Sequence, residues 1–214
     1  LYSEALSYLV SNASDIPRDT TLQDMSNFVV EKLTEAEYAP AAEQLWVLFR
    51  NRRETIARVD ILAAIGATGT ENQQIVVYLN QWISDQNRLK QGGEEVDPQV
   101  FYQAVVTAGE LGDSSSFSVL LEARLQQYSE RISSAAEAAM DSLEGELPEQ
   151  AIAALDERDP ADKIGAFRYY MNSDLFSRED EPLLAQAALN QALTATVSEP
   201  TITASLRQLR YEAA

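Results

Sequence analysis

The feature that most constrains this chain is an internal repeat. At an offset of 43 residues, Gly66 aligns with Gly109 and Gly69 aligns with Gly112. A third and weaker copy covers residues 132–143, and it follows the second copy at an offset of 32 residues. One unit of this length cannot bury an apolar face alone, so chains of this kind stack several units around one continuous core.

The two offsets differ by 11 residues, and residues 87–97 have the composition of an inserted loop. This segment contains the pair Gly92-Gly93 followed by Glu94 and Glu95. Consecutive glycines next to charged residues, placed between periodic segments, are typical of a loop. We therefore expect residues 87–97 to connect two helices without being helical themselves.

Apolar residues follow helical spacing along most of the chain. They recur three and four residues apart in several segments, for example at Leu22, Met25, Val29 and Leu33. This period is typical of amphipathic helices, and no segment shows the sustained two-residue alternation of a half-buried strand. The spacing predicts an all-α fold of roughly ten or eleven helices joined by short loops.

Acidic residues and prolines indicate where helices start. Asp97-Pro98 and Asp159-Pro160 each place an acidic N-cap before a proline that fits the first turn of a helix. Thr21 with Asp24 has the spacing of a capping box. We therefore expect a helix to begin at each of these three places.

The repeated pattern resembles the HEAT repeat. It consists of an apolar residue, an alanine four residues later and the run Gly-x-Leu-Gly-Asp. The residues that carry the resemblance best are Val100, Ala104, Gly109, Leu111, Gly112 and Asp113. The pattern is most similar to the short HEAT-like variety also seen in phycobilin lyases, and Arg58 stands where the motif often has arginine. The resemblance implies a right-handed α-solenoid, an α-α superhelix of stacked antiparallel helix pairs. The Trp, Leu-Gly and Tyr spacing of tetratricopeptide repeats, the main rival, is not found in the sequence.

We expect residues 1–214 to form a single HEAT-like domain. The best-matching repeats cover residues 39–158, whereas residues 1–38 and 159–214 match only in helical rhythm. We interpret these outer segments as divergent N-terminal helices and as divergent C-terminal repeats or a cap. Because the chain starts at Leu1 rather than at methionine, we also expect a segment upstream of it. The sequence leaves both cytoplasmic residence and export open.

Composition excludes several kinds of site. Acidic residues outnumber basic ones 34 to 16, which gives a formal net charge of −18. This charge disfavours nucleic acid and anionic membranes, which attract lysine and arginine, and it favours a basic partner. The chain has no cysteine and no histidine, so a thiol nucleophile, a disulfide, a Cys/His zinc site and a His-based triad are excluded. No apolar stretch reaches the length of a membrane span. We expect no membrane insertion, no metal and no cofactor.

Four acidic clusters are the remaining candidates for metal or acid–base chemistry. They lie within residues 94–97, 144–149, 156–162 and 179–181. None has the ligand spacing of an EF-hand, and acidic residues at helix starts are stabilised by the helix dipole. We therefore interpret these clusters as solvated helix ends and loops.

A basic cluster stands out in this acidic chain. It comprises Arg50, Arg52, Arg53 and Arg58. Guanidinium groups bind carboxylates and phosphates through paired hydrogen bonds, so the cluster is a candidate for an acidic peptide or a phosphate. The alternative is that these arginines stabilise a helix end and pair with neighbouring glutamates.

The resemblance places the helices near residues 53–66, 98–111 and 131–143 on the inner, concave side of the solenoid. Exposed positions on these helices are therefore our candidates for a binding groove. They are Arg53, Arg58, Tyr102, Gln103 and Arg131. We expect replacement of both Arg53 and Arg58 by glutamate to weaken partner binding and to leave the melting temperature nearly unchanged.

Three functional hypotheses follow. The first is a non-catalytic scaffold or adaptor that binds a partner protein or peptide along the concave helical face. The second is a HEAT-like enzyme or ligand-handling protein, since the resemblance extends to phycobilin lyases and DNA alkyl-base glycosylases. No residue identifies a tetrapyrrole pocket, and the net charge of −18 opposes the basic groove of a glycosylase. The third is a structural segment of a larger assembly.

Overall fold

The chain is all-helical, as the spacing of its apolar residues predicts. A computed structural model describes residues 1–126, 128–195 and 200–214. Within these residues there are twelve α-helices and three short 3-10 helices, and no β-strand. The 3-10 helices cover Ile16–Arg18, Ala39–Ala41 and Ser114–Ser116.

The α-helices are numbered in chain order. They are α1 (Tyr2–Ser11), α2 (Thr20–Glu35), α3 (Ala42–Asn51), α4 (Thr55–Thr68), α5 (Gln73–Gln91), α6 (Pro98–Leu111), α7 (Phe117–Leu125), α8 (Glu130–Asp141), α9 (Leu147–Glu157), α10 (Lys163–Asn172), α11 (Glu181–Thr194) and α12 (Pro200–Glu212).

One predicted helix start is confirmed. Asp97 is the N-cap of α6, and its carboxylate accepts hydrogen bonds from the backbone N–H groups of Gln99 and Val100, at 3.0 and 3.2 Å. The same carboxylate accepts a hydrogen bond from Thr55 Oγ1 at 2.5 Å. Asp97 therefore both starts α6 and ties it to α4.

The other two predicted N-caps are wrong, although a helix does begin beside Thr21, since α2 starts at Thr20. Asp19, not Thr21, caps α2, and its carboxylate accepts the Thr21 N–H at 2.8 Å. The segment after Asp159 forms a turn, in which the Asp162 N–H donates to the Asp159 carbonyl at 2.9 Å. Helix α10 therefore begins only at Lys163.

The expected loop at residues 87–97 is shorter than the sequence indicates. Helix α5 continues to Gln91, and the connection starts at Gly92. Asn87 is buried, and its side-chain amide donates to the Val119 carbonyl of α7 at 3.0 Å. This interhelical contact holds the last turns of α5 in helical form, which the composition of the segment does not reveal.

The helices pack in two rows. We call α2, α4, α6 and α8 the even row, and α1, α3, α5, α7 and α9 the odd row. In the even row each helix contacts the next. Between α4 and α6, residues near the start of one helix contact the start of the other, and later residues contact later residues. Thr55 of α4 bonds to Asp97 at the start of α6, whereas Thr107 Oγ1 near the end of α6 donates to the Leu62 carbonyl at 2.9 Å. Helices α4 and α6 therefore run in the same direction.

The odd row has the same regularity. The Trp46 ring of α3 stacks on Tyr78 of α5 at a centroid distance of 5.9 Å, and one turn later Phe49 meets Trp82 at 5.4 Å. Helices α1, α3, α5 and α7 of the odd row also pack against α2, α4, α6 and α8 of the even row, respectively. The interior between the rows is apolar because each helix buries one stripe of small and aliphatic side chains there.

The last three helices extend the packing around α9. Helices α10 and α11 both contact α9, and α12 contacts α10 and α11. Lys163 is buried where these elements meet. Its ammonium group donates to the Leu155 and Asp156 carbonyls at the end of α9 and to Gln191 Oε1 of α11. A lysine that satisfies the free carbonyls of a helix end joins three helices here.

No helix in the described ranges combines the length and apolarity that crossing a membrane requires.

Candidate interaction face

The three helices that the sequence places on the binding side lie next to one another. They are α4, α6 and α8, and α2 continues the same row on the other side of α4. We define the even-row face as the exposed and half-buried positions of these four helices whose side chains do not pack against odd-row side chains. Three of the five predicted binding residues, Tyr102, Gln103 and Arg131, lie on this face, and Arg53 lies at its edge.

Tyr102 and Arg131 are brought together on this face. The guanidinium carbon of Arg131 on α8 lies 3.8 Å from the centroid of the Tyr102 ring on α6. Arg131 is exposed and Tyr102 is half-buried, and Gln103 beside it is half-buried as well. Such a stacked arginine keeps its hydrogen-bonding edge available while its planar face is covered.

Arg53 lies at the edge of the face. It is exposed and precedes α4, in the connection between α3 and α4. Its backbone N–H donates to Glu54 Oε2 at 3.2 Å. Arg52, by contrast, is buried and pairs with the same glutamate, Nε to Oε2, at 3.0 Å. Within the basic cluster, buried Arg52 is thus engaged in an ion pair with exposed Glu54, whereas Arg53 is an exposed side chain.

Arg58 does not lie on the face. Its guanidinium carbon is 4.5 Å from the Phe49 ring centroid and 5.5 Å from that of Trp82, so it packs between the rows. Burial lowers its pKa, against the opposing charge of Asp97. The structure therefore places Arg58 against aromatic rings of the odd row rather than in the expected groove, and the effect of its replacement on melting stays a prediction. Its partners are aromatic side chains of two odd-row helices.

A groove runs between α2 and α4 on the even-row face. Its volume is about 460 Å³. The lining residues are Asn27, Val30, Glu31, Thr34, Glu35, Asp60 and Ala63. Val30 is only 3% exposed and forms part of the apolar base, while the carboxylates are exposed. The groove therefore combines an apolar floor with an acidic rim.

An isolated apolar side chain lies near this groove. Ile56, in the first turn of α4, is 74% exposed. Single exposed aliphatic residues are common on protein surfaces. Ile56 is nevertheless on the same helix as Asp60 and Ala63, one and two turns before the groove residues, so it extends the apolar part of this surface.

Two carboxylates at the C-terminal ends of even-row helices, Glu110 on α6 and Asp141 on α8, have raised pKa values. Burial raises the pKa of Glu110, whose Oε2 lies directly over Gly66 of the neighbouring helix α4. Burial and the charges of Glu137 and Asp174 raise the pKa of Asp141 at the end of α8. Both carboxylates stand at helix C-termini, where the backbone dipole is also negative. This end of the face is therefore electrostatically suited to positive charge.

Two further cavities lie on the odd-row side. One, of about 430 Å³, is lined by Trp46 and Tyr78 together with polar and aliphatic neighbours from α3. The other, of about 260 Å³, is polar and lies between α5, α7 and α9. In the second, Glu122 accepts hydrogen bonds from Gln126 and pairs with Arg158 at 2.7 Å. The arrangement is an ion pair in a small polar cleft.

The acidic clusters do not gather into a metal centre. Within the described ranges, no group of three or more acidic side chains has the arrangement to hold a metal ion. Asp97, from the first cluster, acts as a helix cap, and Asp113 does the same for the 3-10 helix at Ser114–Ser116 through the Ser115 N–H at 2.9 Å.

The groove between α2 and α4 is the feature that sequence reasoning missed. Val30, Glu31, Thr34 and Glu35 have the i, i+4 spacing that puts an apolar and an acidic stripe side by side on one helix. That signal was available, but residues 1–38 show no repeat match that would place this helix beside α4.

Comparisons with models of protein families, with curated proteins and with solved structures found no match for this chain.

Proposed function

We propose that this protein is a non-catalytic scaffold that binds a partner protein or peptide across the even-row face. We further propose that its helix rows form a HEAT-like, right-handed α-solenoid, with the even row on the concave side. The observation that carries the proposal is the row of four neighbouring helices whose surface combines exposed Ile56, the α2–α4 groove and the stacked pair of Tyr102 and Arg131.

The physical support is the kind of surface that this row presents. Repeat proteins expose wide surfaces because every unit contributes one helix to the same side. Tyrosine and arginine are enriched among the residues that dominate binding energies, and a partly exposed aliphatic residue adds apolar area. Arg53 at the edge of the face and Gln103 at its centre supply polar groups for the rim of an interface.

A ligand-handling function has weaker support. Small-molecule pockets generally enclose several hundred Å³ with a mostly apolar lining. The polar cleft between α5, α7 and α9 has a volume of about 260 Å³ and a charged lining. The open groove between α2 and α4 suits a segment of a larger partner better than an enclosed ligand.

The test compares two matched double variants. Ile56→Lys with Gln103→Lys changes the even-row face, and Val77→Lys with Gln74→Lys makes the same chemical change on α5, where both side chains are exposed. Each immobilised variant is used to capture proteins from an extract of the source cells, with quantitative mass spectrometry as the readout.

We expect the even-row variant to lose most of the captured partner and the odd-row variant to retain it. Far-ultraviolet circular dichroism checks that both variants keep the helix content of the parent. Retention by the even-row variant, together with loss by the odd-row variant, would contradict the proposal and assign binding to the other face.

A further inference from the structure

The groove between α2 and α4 allows the partner chemistry to be stated more closely. Its floor is formed in part by Val30 and by half-buried Ala63, and Asn27 and Thr34 flank the floor with neutral polar groups. A ligand group that fills it must therefore have an apolar portion. The groove is open along its length, so this portion can enter from a chain that lies across the helices.

The rim of the groove selects the charge of that group. Glu31 and Glu35 on α2 face Asp60 on α4 across the groove. Lys32 Nζ already bridges Glu31 and Glu35, at 3.1 and 2.7 Å. Within the described part of the chain no ion pair engages Asp60. With Lys32 included, three carboxylates and one ammonium group leave the rim negative.

We infer that this groove is a seat for a lysine or arginine side chain within a basic segment of the partner protein. The inference rests on the proposed scaffold function and deepens it. Lysine and arginine bury an aliphatic stem along apolar surface while the charged head stays with polar groups. In the groove the stem lies over Val30 and Ala63, and the head reaches Asp60 and the Glu31 Oε2 atom, which Lys32 does not engage. Both carboxylate oxygens of Glu35 accept hydrogen bonds from Lys32, so Glu35 contributes its charge to the rim rather than a free oxygen.

The rest of the molecule favours the same occupant. The net charge of −18 attracts a basic segment at long range and raises its association rate. The same charge repels phosphate-bearing partners such as nucleic acids and anionic lipid surfaces. Glu110 and Asp141, at the C-terminal ends of α6 and α8, extend the negative charge along the face and provide further positions for the basic groups of a longer segment.

The probe for this inference is a short fluorescein-labelled peptide of alternating lysine and alanine, with binding followed by fluorescence anisotropy. Because any acidic protein attracts a polycation, the variants must separate the groove from the overall charge. The groove variant is Glu31→Gln, Glu35→Gln and Asp60→Asn. The matched control is Glu71→Gln, Glu94→Gln and Glu95→Gln, three exposed acids in connections between helices.

Both triple variants remove three negative charges, so they differ only in where the charges lie. We expect the groove variant to weaken peptide binding at least ~10-fold at an ionic strength of ~0.15 M, where exposed charges farther apart than the Debye length are largely screened. The control variant should change the dissociation constant by less than ~2-fold. Equal weakening by the two variants would overturn the inference, since it would show that the peptide is attracted by the overall charge and has no specific binding site in the groove.

A second pair of variants tests the apolar floor while leaving every charge in place. Ala63→Leu fills the groove, and Ala67→Leu adds the same atoms one turn later on α4, where the side chain is exposed. We expect Ala63→Leu to weaken peptide binding several-fold and Ala67→Leu to leave it unchanged. Unchanged binding by Ala63→Leu would overturn the inference, because the stem would then not lie in the groove.

Spermidine serves as the competitor that distinguishes a peptide from a small amine. We expect it to displace the peptide only at concentrations far above the dissociation constant of the peptide, because it makes no contact along the rest of the face. Equal affinity of spermidine would overturn the assignment of a protein segment.

Failure of this inference is distinguishable from failure of the proposed function. If the groove variant retains the partner captured from extract while Ile56→Lys with Gln103→Lys loses it, the face binds the partner and the groove does not seat a basic side chain. If the groove seats the peptide as expected but the even-row double variant still captures the partner, the scaffold proposal fails at this face.

Discussion

The guanidinium group of Arg58 lies 4.5 Å from the centre of the Phe49 ring, measured from its central carbon, and therefore belongs to the packing between the two helix rows. Trp82 covers the same group at 5.5 Å. Trp82 in turn contacts Phe101 at 6.4 Å, and Phe101 stacks on Tyr128 at 4.4 Å. A line of aromatic rings thus joins α3, α5 and α6 to the connection before α8, and an arginine is part of it.

Replacement of Arg58 by alanine should destabilise the protein by about 1–3 kcal/mol, because both the cation–π contacts and the packing of the aliphatic stem are lost. Arg58→Met retains much of the stem and should cost less. Exposed Arg53→Ala is the control and should stay within about 0.5 kcal/mol. Urea unfolding followed by circular dichroism measures all three. Equal stability of Arg58→Ala and Arg53→Ala would contradict this role of Arg58.

Gly109 allows α6 and α8 to approach closely. A Cβ atom added there would lie 2.8 Å from the Ala139 Cα, so Gly109→Ala should destabilise the protein by about 1–3 kcal/mol despite the better helix propensity of alanine. Gly165 on α10 has open space around the same position. Gly165→Ala should therefore stabilise the protein by about 0.5–1 kcal/mol. Thermal unfolding of the two variants gives opposite shifts, and a stabilised Gly109→Ala would refute the close approach.

Asp97 should make stability depend on pH below neutrality. Burial opposes ionisation of this carboxyl, but hydrogen bonds from Thr55, Val100 and Gln99 outweigh it and lower its pKa. A lowered pKa in the folded state stabilises the protein at pH values above the unfolded pKa, and that stabilisation is lost as the pH falls through the folded one.

The matched variant for this prediction is Asp97→Asn, which can still cap α6 but carries no charge. It should be less stable than the parent at pH 7 by about 0.5–1 kcal/mol. The difference should shrink below about pH 4 as Asp97 becomes protonated. Urea unfolding at a series of pH values measures this difference in the free energy of unfolding. A difference that increases on acidification would contradict the prediction.

Glu110 should show the opposite dependence. Burial raises its pKa, so the folded state binds the proton more tightly than the unfolded state. Its contribution to stability is most favourable at low pH and is lost as the pH rises through the raised pKa. Glu110→Gln should therefore stabilise the protein at pH 7, by about 0.5 kcal/mol because part of the effect is screened by solvent.

The control for this prediction is Glu94→Gln, an exposed position in the connection before α6. Its stability should match that of the parent across the pH range. The gain from Glu110→Gln should disappear under acidic conditions, where the glutamate is itself neutral. A loss of stability in Glu110→Gln at pH 7 would contradict the partial desolvation of this carboxylate by its position over Gly66.

The sequence was sufficient to predict the all-α fold class, the adjacency of the repeated helices α4, α6 and α8, and the N-cap of α6. Helical spacing and the aligned glycine pairs depend on residues within a single unit or at a fixed offset, and both are visible in one sequence. Asp97 before Pro98 is a local signal as well, and α6 begins there.

The features that escaped prediction depend on contacts between units. Arg58 is half-buried because Phe49 and Trp82 contact it from two other helices, and nothing next to Arg58 in the sequence indicates this. The last turns of α5 pack against α7, where Asn87 donates a hydrogen bond to the Val119 carbonyl. The α2–α4 groove needs both helices in one row, and the first helices lack the repeat pattern that would have aligned them.

Site-specific photocrosslinking tests the proposed binding face most directly. A benzophenone side chain is introduced at Gln103 on α6 or, as the matched control, at Gln74 on α5, and each protein is irradiated in an extract of the source cells. Crosslinked partners are identified by mass spectrometry. We predict a crosslinked partner protein from position 103 and none from position 74, with the crosslinked segment of the partner rich in lysine or arginine. A partner crosslinked from position 74 and not from position 103 would contradict binding across the even-row face.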